Sequence, residues 1–283
     1  MTTIRLGIST CPNDTFAFHA LMHGLVDCRG LDFQVELLDI QQLNDRLMAG
    51  NFDVAKASFH AGLWLSDKMW VLPSGSALGF GVGPLLLAAE AGEVPCEASQ
   101  LTLCPGEHTT ASLLFSLFYP ASTRVKQVAF SEIMPKLQRL DANFGVCIHE
   151  GRFTWQQQGL YLVEDLGTRW ERETQAPLPL GGILAAKSLG GDVLARVQQA
   201  IADSLRYALA NRSATLPTLR QHAQEFDDDV LMQHVELYVN DWTVDLGAVG
   251  ADALRQLSRR AKAVGLISQR TADLEVFRPH AVS

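Results

Sequence analysis

Four stretches carry side chains whose types and spacing suit chemistry on a small anion. His149 follows Phe144, Gly145, Val146, Cys147 and Ile148, an apolar run too short for a helix and suited to a strand buried on both faces. In an open α/β sheet, ligands collect beyond the carboxyl ends of the strands, so an imidazole there would stand at a cleft. With an ordinary pKa of about 6.5 it could take and return a proton near neutral pH, as a general base must. The competing reading has His149 simply close the strand and bond a carbonyl. Ser9 and Asn13 lie in Ser-Thr-Cys-Pro-Asn-Asp, between a strand over residues 4–8 and a helix reaching about Leu25. Amides at such a helix start favour an anion, although a plain strand-to-helix connection has the same composition. Lys56 and Ser58 end a second strand, where a solvated charge and a helix cap are the alternatives. Thr109 and Thr110 open another helix, with hydroxyls and N–H groups suited to a carboxylate or polyol oxygen, or serving only as its cap.

Other chemistries fit less well. His19 and His23 are one helical turn apart, but no Glu follows His19 as H-E-x-x-H requires and no third ligand is evident, so no metal is expected. His222 and His234 fall in a helical tail and are expected to face solvent or neighbouring helices. Gly79, Gly81 and Gly83 lack the dinucleotide spacing and lead into a strand, which leaves a flexible approach to a crossover. Ala186-Lys187-Ser188 lacks the glycine of a phosphate loop, and no G-x-S-x-G elbow exists.

These stretches need a scaffold of alternating strands and helices. At 283 residues and 47% hydrophobic, the chain can form two lobes with sizeable cores. Strands are expected over residues 33–38, 52–58, 85–89, 101–104, 125–130, 160–164 and 178–187. Helices are expected over 41–49, 59–65, 109–118, 131–140, 192–209, 228–239 and 248–264. The two apolar strands behind Pro and Gly, near residues 85 and 180, suggest that the chain leaves one lobe, builds another and returns. The expected division is residues 1–88 with 181–283 as the first lobe and 89–180 as the second. A net charge of -8 without a basic, aromatic-rich cluster disfavours nucleic acid. Five cysteines without a C-x-x-C pair argue against structural zinc and a disulfide framework. No signal-peptide core or membrane-length apolar run is present, so a cytoplasmic protein without a membrane partner is expected.

The motifs also occur in a recognisable order. Residues 9–16 (STCPNDTF), Lys56-Ala57-Ser58, Gly79-x-Gly81-Val82-Gly83-Pro84-Leu85, His108-Thr109-Thr110, Ile148-His149-Glu150-x-Arg152-Phe153-Thr154 and Leu178-Pro179-Leu180-Gly181 together resemble the 1,4-dihydroxy-6-naphthoate synthase family, over nearly the whole chain. The resemblance implies an α/β fold like type II periplasmic binding proteins, with two crossing strands between lobes and a cleft at the interface. It implies a lyase of the futalosine route to menaquinone that acts on cyclic dehypoxanthine futalosine without metal or organic cofactor. It further implies His149 as proton acceptor, and substrate contacts from Lys56, Ala57, Ser58, Thr109 and Thr110, with Ala57 contributing its backbone. Hinges are expected near residues 81–84 and 179–182. A solute-binding protein of the same fold and the related chorismate dehydratase are the alternative readings.

Overall fold

A computed structural model of the chain describes residues 2–148, 151–223 and 227–278. His149 and Glu150 thus lie outside the described residues. The chain runs through β1 (Thr2–Ser9), α1 (Pro12–Met22), β2 (Leu31–Leu38), α2 (Ile40–Met48), β3 (Val54–Ser58), α3 (Phe59–Leu65), β4 (Met69–Val71), β5 (Ala77–Gly79) and β6 (Leu85–Ala88). It continues through β7 (Leu101–Cys104), α4 (Thr110–Phe118), β8 (Arg124–Gln127), α5 (Phe130–Gln138), β9 (Phe144–Cys147), α6 (Gly151–Thr154), β10 (Tyr161–Asp165), α7 (Leu166–Thr174) and β11 (Leu178–Ala186). A helical tail follows: α8 (Gly191–Ala210), α9 (Arg212–His222), α10 (Asp228–Tyr238), α11 (Asp241–Val244) and α12 (Gly247–Ala263).

Two sheets result. The first has the order β2-β1-β3-β11-β4, with β5 also paired to β11, and the second has the order β10-β6-β9-β7-β8. β1 lies parallel to β2 and β3, as strand-helix-strand crossovers require, while β11 returns antiparallel to β3, β4 and β5. The second sheet repeats this plan, with β7 parallel to β8 and β9 and with β6 antiparallel to β9 and β10. β6 therefore belongs to the second sheet, so the lobe boundary falls before Leu85. The sequence expectation, which ends the first segment of lobe 1 at residue 88 and begins its second at 181, is corrected at both places, since β11 pairs within the first sheet from Leu178 onward. An apolar run alone does not say which sheet its backbone will join.

Side-chain alternation fills the interior on both faces of the strands. On β6, Leu85 and Leu87 join Ile133 and Leu137 of α5, while Leu86 and Ala88 turn into a core shared with the first lobe. Behind the first sheet, Ile4, Leu6 and Ile8 pack with Phe16 of α1 and Val197 and Ile201 of α8. No helix among the described residues is long and apolar enough to cross a membrane.

The strands on either side of the lobe crossing meet where Leu178 pairs with Gly79. Close by, Gly83 and Gly167 touch backbone to backbone: a Cβ added at Gly83 would lie 2.2 Å from the Cα of Gly167. Arg152 fastens the junction, donating to the Gly83 carbonyl and pairing with Asp165 at 2.6 Å. Asp165 in turn caps α7 through the amides of Gly167 and Thr168. Gly83→Ala is expected to destabilise the protein by about 2–3 kcal/mol through overpacking against backbone that cannot yield. Thermal melting of the variant checks this.

Candidate active site

Two helix starts from opposite lobes, α1 and α4, line a cleft of about 670 Å³, counting space open to solvent. Ser9, Asn13, Lys56, Ser58, Thr109 and Thr110 all line it, so segments far apart in sequence converge. Ala57 does not line it. Its methyl lies in the core because strand alternation turns it away from Lys56 and Ser58, and its backbone is engaged with Gly182 of β11. The structure therefore does not bring Ala57 into the cleft as a contact residue.

The deepest feature is an ion pair. Lys56 Nζ donates to Asp14 Oδ1 at 2.6 Å, with both side chains almost wholly buried. Lys56 is thus not the solvated charge that its residue type allows. Asp14 also accepts from Ser9 Oγ at 2.6 Å and Asn13 Nδ2 at 2.9 Å, which satisfies its oxygens on three sides. Lys56 donates a second hydrogen bond to the Gly75 carbonyl at 3.1 Å. An ammonium has three donors, so one is left for a ligand.

Ser58 is held by Asn44, whose Oδ1 accepts from the Ser58 amide at 2.9 Å and whose Nδ2 donates to Ser58 Oγ at 3.2 Å. Its hydroxyl proton therefore remains available. The Thr109 hydroxyl caps α4, accepting from the Ser112 amide and donating to the Gly106 carbonyl at 2.8 Å. The Thr110 hydroxyl donates to the Leu180 carbonyl. Both protons are committed within the protein. The amides of Thr110 and Ala111, taken up by no carbonyl or cap side chain among the described residues, are the better anion donors.

Sequence reasoning missed several participants. Asp14 is read only as part of a helix start. Asn44 has no exposure on the apolar face of α2 between Leu43 and Leu47, and a polar residue on that face was the available signal. His234 is placed by sequence among solvent or neighbouring helices, yet it lines the cleft with Tyr238, its Nε2 donating to Asn13 Oδ1 at 3.0 Å. It shares the buried face of α10 with Leu231 and Val235, at helical spacing. His19 Nδ1 and His23 Nε2 both engage the Thr218 hydroxyl, at 2.8 and 2.9 Å. Among the described residues no group of three or more metal-ligating side chains is gathered. Ile148, just past β9, also lines the cleft.

Two α/β lobes enclosing an anion-suited cleft define a type II periplasmic-binding-protein-like fold, as the comparisons bear out. A crystal structure of a protein from Archaeoglobus fulgidus superposes with a TM-score of 0.88 at 29% identity, covering 94% of this chain and 98% of that one. The periplasmic aliphatic sulphonate-binding protein of Escherichia coli superposes at 0.68 with 11% identity, covering 100% and 94% of the two chains, which shows the fold alone. Residues 4–263 match the menaquinone biosynthesis family, and the chain belongs to it. The chain is 40% identical to the 1,4-dihydroxy-6-naphthoate synthase of Thermus thermophilus over 276 residues, 98% of this chain and 100% of the relative. It is also 40% identical to the synthase of that name from Streptomyces coelicolor over 281 residues, 97% and 98% of the two chains.

Two outcomes follow from the buried groups. Asp14→Asn strands the Lys56 ammonium and is expected to destabilise by about 3–5 kcal/mol, and the double variant Asp14→Asn/Lys56→Met should recover part of that loss. Urea midpoints decide it. His60, on α3 behind the cleft, is pushed down to about 4 by burial, against the pull of the Thr109 carbonyl and with His108 lowering it further. The unfolded chain binds this proton more readily, so the stability of the folded state falls as pH drops from about 6.5 to about 4 and levels off below. The loss is on the order of 3 kcal/mol. Chemical denaturation across that window should show it shrinking in His60→Asn.

Proposed function

We propose that this protein is a carbon–carbon lyase that converts cyclic dehypoxanthine futalosine into 1,4-dihydroxy-6-naphthoate on the futalosine route to menaquinone. The observation that supports this reading best is the meeting of Ser9, Asn13, Asp14, Lys56, Ser58, Thr109, Thr110, Leu180 and Gly181 around one cleft, in a chain whose 40%-identical relatives are synthases of that name.

In this reading His149 removes a proton beside a carbonyl. The free donor of Lys56 and the amides of Thr110 and Ala111 receive the carboxylate and the enolate oxygen, where fixed dipoles in a water-poor cleft are most effective. Carbon–carbon cleavage then releases the sugar-derived fragment and leaves an aromatic ring. Aromatisation supplies the driving force, so the proposal requires neither a metal nor an organic cofactor. Ser58 contributes its hydroxyl proton, while Ser9 and Asn13 act by holding Asp14 and hence Lys56.

Purified protein incubated with cyclic dehypoxanthine futalosine should yield the naphthoate by mass spectrometry and should leave chorismate untouched. His149→Asn should lower turnover by about 100-fold or more, with substrate affinity largely kept. Chorismate consumption without naphthoate formation would overturn the reading.

A further inference from the structure

Three consecutive residues of the second lobe, His108, Thr109 and Thr110, are each tied to the first. The His108 carbonyl accepts from Asn44 Nδ2 at 3.4 Å, the Thr109 carbonyl bonds His60 Nδ1 at 3.1 Å, and the Thr110 hydroxyl donates to the Leu180 carbonyl. The Asn44 tie is long, and that side chain is already committed to Ser58. The Thr110 tie belongs to a cleft residue. His60 is different: it is buried, does not line the cleft, and bonds the cleft residue Thr109 from behind.

A carbonyl can only accept, so the bond fixes the proton on Nδ1 of His60. The same carbonyl accepts the first helical bond of α4, from the Leu113 amide at 3.1 Å. The imidazole therefore grips the peptide that carries the Thr110 amide, and the Ala111 amide sits on the next peptide of the same helical turn. An apolar side chain would fill this space at lower desolvation cost and without a donor.

We propose that His60, through its Nδ1–H bond to the Thr109 carbonyl, is the positioning residue that holds the anion-binding start of α4 against the first lobe. Bringing the lobes together and presenting the Thr110 and Ala111 amides are then one event. The consequence for catalysis rests on the proposed function, whereas the consequence for α4 does not.

The test compares wild type with His60→Asn, whose side-chain amide can replace the Nδ1 donor, and His60→Leu, which fills the space without one. In substrate-free protein, amide hydrogen exchange over residues 110–114 should quicken about tenfold in His60→Leu relative to α8, and should stay within about twofold of wild type in His60→Asn. With cyclic dehypoxanthine futalosine, KM should rise about tenfold in His60→Leu with little change in kcat, and His60→Asn should restore it. Wild-type exchange in His60→Leu, or a folded His60→Asn that fails to restore it, would overturn the proposal. His60→Phe carries the comparison if His60→Leu does not fold, and failure of both alongside a folded His60→Asn would reduce His60 to a structural role. Exchange needs no substrate, so absence of wild-type turnover would count against the proposed function alone.

Discussion

The buried pair of Asp14 and Lys56 is the interaction around which the first lobe's side of the cleft is built. Taking both charges out of water costs several kcal/mol per ion, and attraction alone offsets this only when the remaining lone pairs and protons are satisfied. Here all but one are: Ser9 and Asn13 complete the carboxylate, and the Gly75 carbonyl takes a second ammonium proton, which leaves the third facing the cleft. The pair ties the first turn of α1 to the end of β3, two points 42 residues apart in sequence. Asn13 is fixed in turn by His234 of α10, so the helical tail is anchored to the same network.

This network makes specific demands on the backbone. Gly75 presents its carbonyl to Lys56 from a φ of +95°, and an added Cβ there would lie 2.5 Å from Ile183 Cγ1. Only glycine meets both conditions. The segment around it is not the flexible approach that its composition suggests, because it contains β5 and supplies a charge-bearing contact. Gly83 plays a comparable part at the lobe crossing, where two backbones come too close for any side chain. A glycine-rich composition has the same look whether its cause is freedom or crowding.

Much of the fold is legible from periodicity. The strand over 52–58 and the helix after it correspond closely to β3 and α3, and the long tail helices fall within a residue or two of α8, α10 and α12. The site is legible as a set of strand ends and helix starts, since those places face a cleft in any α/β lobe. What sequence could not supply was pairing between remote residues. Lys56 on its own reads as a solvated charge until Asp14 stands 2.6 Å away, and His234 reads as a tail residue until it meets Asn13, 221 positions earlier. α7 and α9 are also absent from the sequence reading. The polar, proline-containing run of α9 carries only Thr215, Thr218 and Leu219 to the interior, too few for a periodic signal.

The electrostatics of the cleft run against those of the whole chain. A protein of net charge -8 repels an anion at long range, but beyond a Debye length of about 8 Å that repulsion is largely screened. Inside the cleft the balance reverses. Asp14 is already matched by three donors, so an entering carboxylate meets a remaining ammonium proton and the amides of a helix start, with the opposing start of α1 across the gap. Recognition must therefore be local and geometric, built from donors held in place by the fold. That places the burden of specificity on how accurately the two lobes are held together, because a small shift of the α4 start would pull its amides out of reach while leaving the Lys56 side intact.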